Sequence, residues 1–123
     1  MTQLLLVDDH RHQLAPIAAW AGRMRPGWDV LRVAEREAAL EHLARRPVSV
    51  LLAMMEDDWS GSAEAFLKRV CAISPSSVRI AGLSRRGNFV AAEPCAGGAH
   101  QVLVIGDAET TAPTLDAAAR LAE

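Results

Sequence analysis

The sequence is poor in aromatic residues, cysteine and net charge, and each shortage excludes a class of protein. It has no tyrosine, three tryptophans and two phenylalanines, so a core has to be built from aliphatic residues and alanine. The net charge of −2 leaves no basic footprint for direct nucleic-acid binding. Cys71 and Cys95 could form one disulfide, but a chain of 123 residues has enough core to fold without it. We therefore expect a reduced, cytoplasmic protein.

Long apolar runs and cofactor motifs are also missing. No run approaches the roughly 20 apolar residues of a membrane span, and residues 1–3 lack the basic start of a signal peptide. No glycine-rich phosphate-binding motif follows the first predicted strand, so no nucleotide cofactor is expected. No residue spacing indicates a metal centre or a catalytic triad, so we predict that the protein is not an enzyme. The histidines are assigned to the surface or to helix caps: His10, His12, His42 and His100.

One apolar stretch in the middle of the chain organises the rest. Residues 48–55 are too few for a core helix and rich enough in valine and leucine for a buried strand. An acidic loop follows at residues 56–58, and a helical pattern then runs from residue 63 to about residue 72. In open α/β sheets, functional groups lie beyond the carboxyl ends of the strands. Ala53 occupies the position where this strand should present its reactive side chain.

Strands and helices alternate along the whole sequence. A short apolar run, Leu4–Val7, predicts the first strand, and the helix after it should start just before Pro16, because proline is tolerated only in a first turn. Thr111 is predicted to cap the last helix, with Pro113 in its first turn. The other predicted elements are strands at residues 28–33, 78–83 and 102–105, a helix at residues 35–45, and at most a short helix between residues 85 and 98. The alternation predicts one α/β domain, residues 1–123, with a parallel sheet covered by helices on both faces.

Acidic residues after the first strand give this order of elements a resemblance to a known family. Asp8 and Asp9 follow strand one, Gly61 lies eight residues after Ala53, and Ser84 ends strand four. With these features the chain resembles, over nearly its whole length, the receiver domain of bacterial two-component response regulators. The resemblance implies a flavodoxin-like, doubly wound sheet of five parallel strands in the order 2-1-3-4-5.

Two positions depart from the pattern that the resemblance implies. Ala53 stands where the family has its phospho-accepting aspartate, and Ile105 stands where the family has a lysine. Asp8 and Asp9 match the acid pair that binds Mg²⁺ in the family, and Ser84 matches its switch hydroxyl. Phosphotransfer needs a carboxylate nucleophile, a metal and a cation. We therefore interpret the chain as a degenerate pseudo-receiver, and we expect weak Mg²⁺ binding at most and no other cofactor.

The first functional hypothesis is a phosphorylation-independent interaction module in signal transduction or transcription regulation. Its partner would be another protein or an output domain. The resemblance also implies a homodimer surface formed by the predicted fourth helix, fifth strand and fifth helix, where Val102 replaces the usual switch aromatic.

Two alternatives stay open from the sequence. Glu56 or Asp57 could accept a phosphoryl group in place of Ala53, although the spacing to Gly61 favours Ala53 as the acceptor position. Alternatively, Ala53 and Ile105 could make this edge of the sheet apolar enough to bind a small ligand.

Overall fold

The computed structural model of the protein describes residues 2–8, 12–55, 61–84 and 100–122. It contains a five-stranded parallel sheet in the order β2-β1-β3-β4-β5, which confirms the predicted flavodoxin-like fold. The strands are β1 (Gln3–Val7), β2 (Asp29–Val33), β3 (Val50–Met54), β4 (Val78–Ser84) and β5 (Gln101–Ile105); the helices are α1 (Ala15–Met24), α2 (Arg36–Arg45), α3 (Gly61–Ile73) and α4 (Ala108–Leu121). The short helix predicted between residues 85 and 98 falls outside the described residues.

The two most apolar strands lie next to each other at the centre of the sheet. β1 pairs with β3 in parallel, with Leu4 opposite Val50 and Val7 opposite Ala53. Every residue of β3 is buried, as are residues 4–7 of β1. This is the pattern expected of strands covered on both faces, and it confirms the predicted central pair.

Alternate residues of the strands feed two separate cores. The first core joins the strands to α2 and α3, and its strand residues include Leu5, Leu51 and Ala53. The second core joins them to α1 and α4, and its strand residues include Leu6 and Leu52. Successive side chains of a strand point to opposite faces. Odd-numbered and even-numbered residues of one strand therefore belong to different cores.

The last helix begins earlier than the sequence predicted. The predicted cap, Thr111, lies inside α4, and the actual cap is Asp107, whose carboxylate accepts a hydrogen bond from the Thr110 backbone N–H at 2.8 Å. A short acidic side chain satisfies the free N–H groups of a helix start as well as threonine does. Pro113 therefore lies within the helix rather than in its first turn. By contrast, α1 starts at Ala15 with Pro16 in its first turn, as predicted. No helix within the described ranges has the length and apolar character needed to cross a bilayer.

Candidate functional site

The carboxyl ends of the strands bring the sequence-predicted site positions to one edge of the sheet. Val7, which precedes Asp8, pairs with Ala53, and Ser84 at the end of β4 pairs with Ile105 at the end of β5. We call the positions of Asp8, Ala53, Ser84 and Ile105 the C-terminal edge. The register therefore gathers residues that are up to 97 positions apart in the sequence.

Asp8 is a buried carboxylate whose two oxygens are both engaged within the protein. Its side chain is only 2% exposed. One oxygen, Oδ1, accepts a hydrogen bond from the Leu14 backbone N–H at 3.1 Å, and the other, Oδ2, lies 3.0 Å from Nη1 of Arg32. Burial of a carboxylate is costly unless it is paired and hydrogen-bonded, and Asp8 meets both conditions.

Arg32 reaches Asp8 because of its place on the edge strand β2. It pairs with Leu6 in the β1–β2 register, and the Asp8 backbone N–H continues the ladder by donating to the Val33 carbonyl at 2.9 Å. The guanidinium is therefore carried directly alongside the end of β1. The side chain of Arg32 keeps 38% exposure, so its charge is held between the buried carboxylate and solvent.

A tight turn before α1 supplies the second partner of Asp8. His12 has a φ of 54°, which is uncommon for a residue with a side chain, and its carbonyl accepts from the Ala15 N–H at 3.1 Å. This turn directs the Leu14 N–H toward Asp8. The His12 ring also lies beside Arg32, with Nδ1 3.4 Å from Nη1. We call Asp8, Arg32 and the Leu14 N–H the acidic corner.

Ala53 is wholly enclosed in the first core. It has no exposed surface and packs in the same cluster as Val7, Ala81 and Leu83. β3 pairs with β4 so that Ala53 lies opposite Ala81. A methyl group surrounded by aliphatic side chains offers neither a nucleophile nor a metal ligand.

Ile105 is buried in the other core, where it packs against Gly82 and Met54. Its side chain is part of the second core and only 5% of the residue is exposed. A methyl group added at Gly82 would lie 3.0 Å from Sδ of Met54 and 3.2 Å from Cγ1 of Ile105, so these side chains close tightly over the glycine. We call Ala53, Gly82, Met54 and Ile105 the apolar corner.

The apolar corner does not form one pocket. Ala53 belongs to the first core and Ile105 to the second, so their side chains lie on opposite faces of the sheet. Two clefts lined by described residues lie at the other end of the sheet. One, of about 300 Å³, has Gln3, Asp29 and Arg46 in its wall, and the other, of about 260 Å³, lies between the ends of α2 and α3.

Several predicted site residues lie outside the described residues or are described only in part. Asp9, Glu56 and Asp57 are outside them. Of Ser84, only the backbone position is described: it ends β4 opposite Ile105. The sequence reasoning missed the roles of both partners of Asp8, Arg32 and the Leu14 N–H. The sequence offered one signal for Arg32: it lies near the end of β2, the strand that pairs with β1, and Asp8 directly follows β1.

The described residues do not fit the Mg²⁺ site that the receiver resemblance implies. Such a site needs oxygen ligands converging on one point. Ala53 supplies no oxygen, and each oxygen of Asp8 already accepts a hydrogen bond, one of them from a cation. Within the ranges that the structure covers, no group of three histidine, cysteine, aspartate or glutamate residues could hold a metal ion.

The clearest shifts in pKa occur away from this edge. Arg25, which ends α1, makes two hydrogen bonds of 3.0 and 2.7 Å to the Asp116 carboxylate on α4. Hydrogen bonding to Arg25 lowers the pKa of Asp116, and the same contact raises the pKa of Arg25. Arg25 also lies over the Trp20 ring, with 5.0 Å between its central carbon and the ring centroid. These contacts tie α1 to α4 behind the second core.

Comparison with solved structures identifies the same fold. The chain matches the receiver domain of NtrC4 from Aquifex aeolicus with a TM-score of 0.75 and 19% identity, covering 100% of both chains. It matches the signal receiver domain of an HD domain-containing protein from Pseudomonas fluorescens Pf-5 with a TM-score of 0.74 and 20% identity, covering 98% of this chain and 88% of that one. The beryllofluoride-activated NtrC4 receiver domain dimer matches with a TM-score of 0.79 and 19% identity, again over 100% of both chains. No protein-family model matches this sequence, and no curated protein matches it at a significant level. The chain therefore has the receiver fold.

Proposed function

We propose that this chain is a receiver-like signalling module that acts through protein contacts and without phosphorylation. The single observation that carries the proposal is the state of position 53. The family's acceptor position holds an alanine with no exposed surface, in the same buried cluster as Val7, Ala81 and Leu83. A carbon–hydrogen group cannot attack phosphorus, and no phosphoryl donor has access to a residue that is fully enclosed.

The opposite face of the C-terminal edge supports the same proposal. Phosphoryl transfer is catalysed mainly by positioning and by neutralisation of the developing charge. Ile105 brings no charge to the position of the family's lysine, and its side chain fills the second core beside Gly82 and Met54. Restoring a lysine there would require burial of an ammonium group among aliphatic side chains, which is unfavourable.

Contact with a protein partner is the route that we propose for signalling by this module. On β5, Val104 is 52% exposed although its neighbour Ile105 is buried. In the NtrC4 comparison, a receiver domain forms a dimer. The surface for which we predicted self-association includes β5 and the predicted fifth helix, which is α4 in the structure; its predicted fourth helix lies outside the described residues. We therefore place the candidate contact for a second copy or an output domain around Val104 and α4.

The test of phosphorylation independence is intact-mass spectrometry after incubation with acetyl phosphate and Mg²⁺. We expect no adduct of about 80 Da, the mass that a phosphoryl group adds. An adduct that is lost on Glu56→Gln or Asp57→Asn would overturn the proposal in favour of a relocated acceptor. Ala53→Asp serves as the gain-of-function comparison and should give at most slow labelling, because Ile105 still provides no cation.

The partner surface has its own test by size-exclusion chromatography with light scattering. Val104→Asp should lower self-association or partner capture while the melting temperature stays near that of the wild type, because an exposed position tolerates a charge. Thr114→Asp on α4 is a comparison at a half-buried position of the same region. Unchanged association in both variants would remove this surface from the proposal.

A further inference from the structure

We propose that Arg32 is a built-in cation that takes the place of a divalent metal at Asp8. The inference rests on the receiver-like reading of the C-terminal edge, but its test involves no phosphoryl transfer. It assigns a function to a side chain that neither the sequence pattern nor the comparisons single out.

The guanidinium of Arg32 makes a short ion pair with the buried carboxylate of Asp8. Nη1 of Arg32 lies 3.0 Å from Oδ2 of Asp8, whose side chain is 2% exposed. The remaining oxygen accepts from the Leu14 N–H at 3.1 Å. Hydrogen bonds from charged donors are stronger than neutral ones, and a contact with a buried carboxylate is screened less by salt than a surface pair.

Arg32 is also the positive group that can move without disturbing the sheet. Its backbone is fixed in β2 by the register with Leu6, whereas its side chain is 38% exposed and can turn toward solvent. A divalent ion approaching Asp8 would have to displace this side chain. A neutral side chain at position 32 would instead remove this ion pair from a buried carboxylate.

Loss of a charged partner makes a buried carboxylate less favourable, and one response is to recruit another cation. We therefore expect Arg32→Gln to create a site for Mn²⁺ or Mg²⁺ at Asp8, with water molecules completing the coordination shell. The wild-type protein should show little change in stability when Mg²⁺ or a chelator is added.

The experiment is a Mn²⁺ titration followed by the electron paramagnetic resonance signal of the free ion, paired with thermal melts. Arg32→Gln should bind Mn²⁺ roughly tenfold more tightly than the wild type or better, which corresponds to about 1.4 kcal/mol. Its melting temperature should rise with added Mn²⁺, because a ligand that binds only the folded state stabilises it. Arg32→Lys keeps a cation and should bind as weakly as the wild type.

Two further variants make the result specific. Arg69→Gln is the matched control, because Arg69 makes an ion pair of the same 3.0 Å length with Glu37, but at an exposed position; it should gain no Mn²⁺ affinity. The double variant Arg32→Gln with Asp8→Asn should lose the gain. Equal affinity in Arg32→Gln and wild type, or a gain that survives Asp8→Asn, would overturn the inference. An 80 Da adduct in the separate phosphorylation assay would contradict the proposed function alone.

Discussion

The two corners of the C-terminal edge satisfy their side chains in opposite ways. The acidic corner keeps a buried charge and balances it with Arg32 and the Leu14 N–H. The apolar corner has no charge, and its side chains pack into the two cores around Gly82. Among the described residues, the side chains of both corners are therefore satisfied by contacts within the protein.

The comparison teaches that a small side chain at the end of a central strand need not leave a hole. An alanine in place of a larger residue creates a cavity only if its surroundings fail to close. Here Ala53 is fully buried against Ala81 and Leu83. The carboxylate of Asp8 is likewise enclosed and paired. The edge therefore has the physical properties of a core on one side and of an internal ion pair on the other.

The strongest way to break this contrast is to place a charge in the apolar corner. Ala53→Asp should lower the free energy of unfolding by about 3 kcal/mol or more, because it buries a carboxylate without a partner. Ala38→Asp, at an exposed position of α2, is the control and should change stability by less than about 1 kcal/mol. Urea denaturation measures both. A small loss in Ala53→Asp would mean that the end of β3 is open to solvent and that the corner is not a core.

The next largest effect should come from truncation at the end of β5. Ile105→Ala should cost about 2–4 kcal/mol, since it removes buried methyl groups from the second core. Its neighbour Val104 is 52% exposed, so Val104→Ala should cost only about 0.5 kcal/mol. Equal losses in the two variants, measured by chemical denaturation, would contradict the placement of Ile105.

A subtler substitution sharpens the description of how tightly the apolar corner is packed. Gly82→Ala should cost about 1–2 kcal/mol by overpacking, because the new methyl group would lie 3.0 Å from Sδ of Met54 and 3.3 Å from Cδ1 of Ile105. Ile105→Val removes that Cδ1 atom. In a double-mutant cycle, the cost of Gly82→Ala should therefore be smaller when Ile105→Val is present. Strict additivity would show that the two residues do not compete for space.

The smallest expected effect is a pH dependence of stability from His100, which lies at the opposite end of the sheet from the C-terminal edge. Burial, and secondly the nearby charge of Arg79, lowers the pKa of His100, and its Nδ1 accepts a hydrogen bond from the Arg79 backbone N–H at 2.9 Å. Neutral His100 is thus favoured in the folded state, whereas the unfolded chain takes up the proton near pH 6.5. The contribution of neutral His100 to the free energy of unfolding is therefore fully present above pH 6.5 and is lost as the pH falls through and below that value. An NMR titration should give His100 a pKa below 6.5; a higher value would contradict this assignment.

Sequence reasoning predicted the central sheet well because burial on both faces leaves a local signature. The uninterrupted apolar runs at residues 4–7 and 48–55 were sufficient to predict two buried strands, and the strand order implied by the receiver resemblance placed β1 beside β3. The start of α4 was predicted wrongly because Asp107 and Thr111 are both acceptable caps, and only the folded backbone selects between them.

Of the ion pair in the acidic corner, the sequence predicted the carboxylate and not the cation, for a different physical reason. Asp8 was recognised by its position after a strand, whereas Arg32 contributes through a contact between residues 24 positions apart. Such a contact depends on the register of the β1–β2 pair and leaves no periodic signal in the sequence. The same limit applies to Ala53 and Ile105, which could be located on one edge but not assigned to separate cores before the register was known.

The most direct test of the central claim is the response of the protein to beryllofluoride, which is present in the activated NtrC4 structure. ¹H–¹⁵N spectra of the wild-type protein should be recorded with Mg²⁺ alone and after beryllofluoride is added. A protein that signals without phosphorylation, with Ala53 buried and Asp8 held by Arg32, should show no shifts in the amides of residues 53–55, 82–84 or 104–106. Saturable shifts in these three groups of amides would show that the edge still senses a phosphoryl-like ligand and would contradict the account.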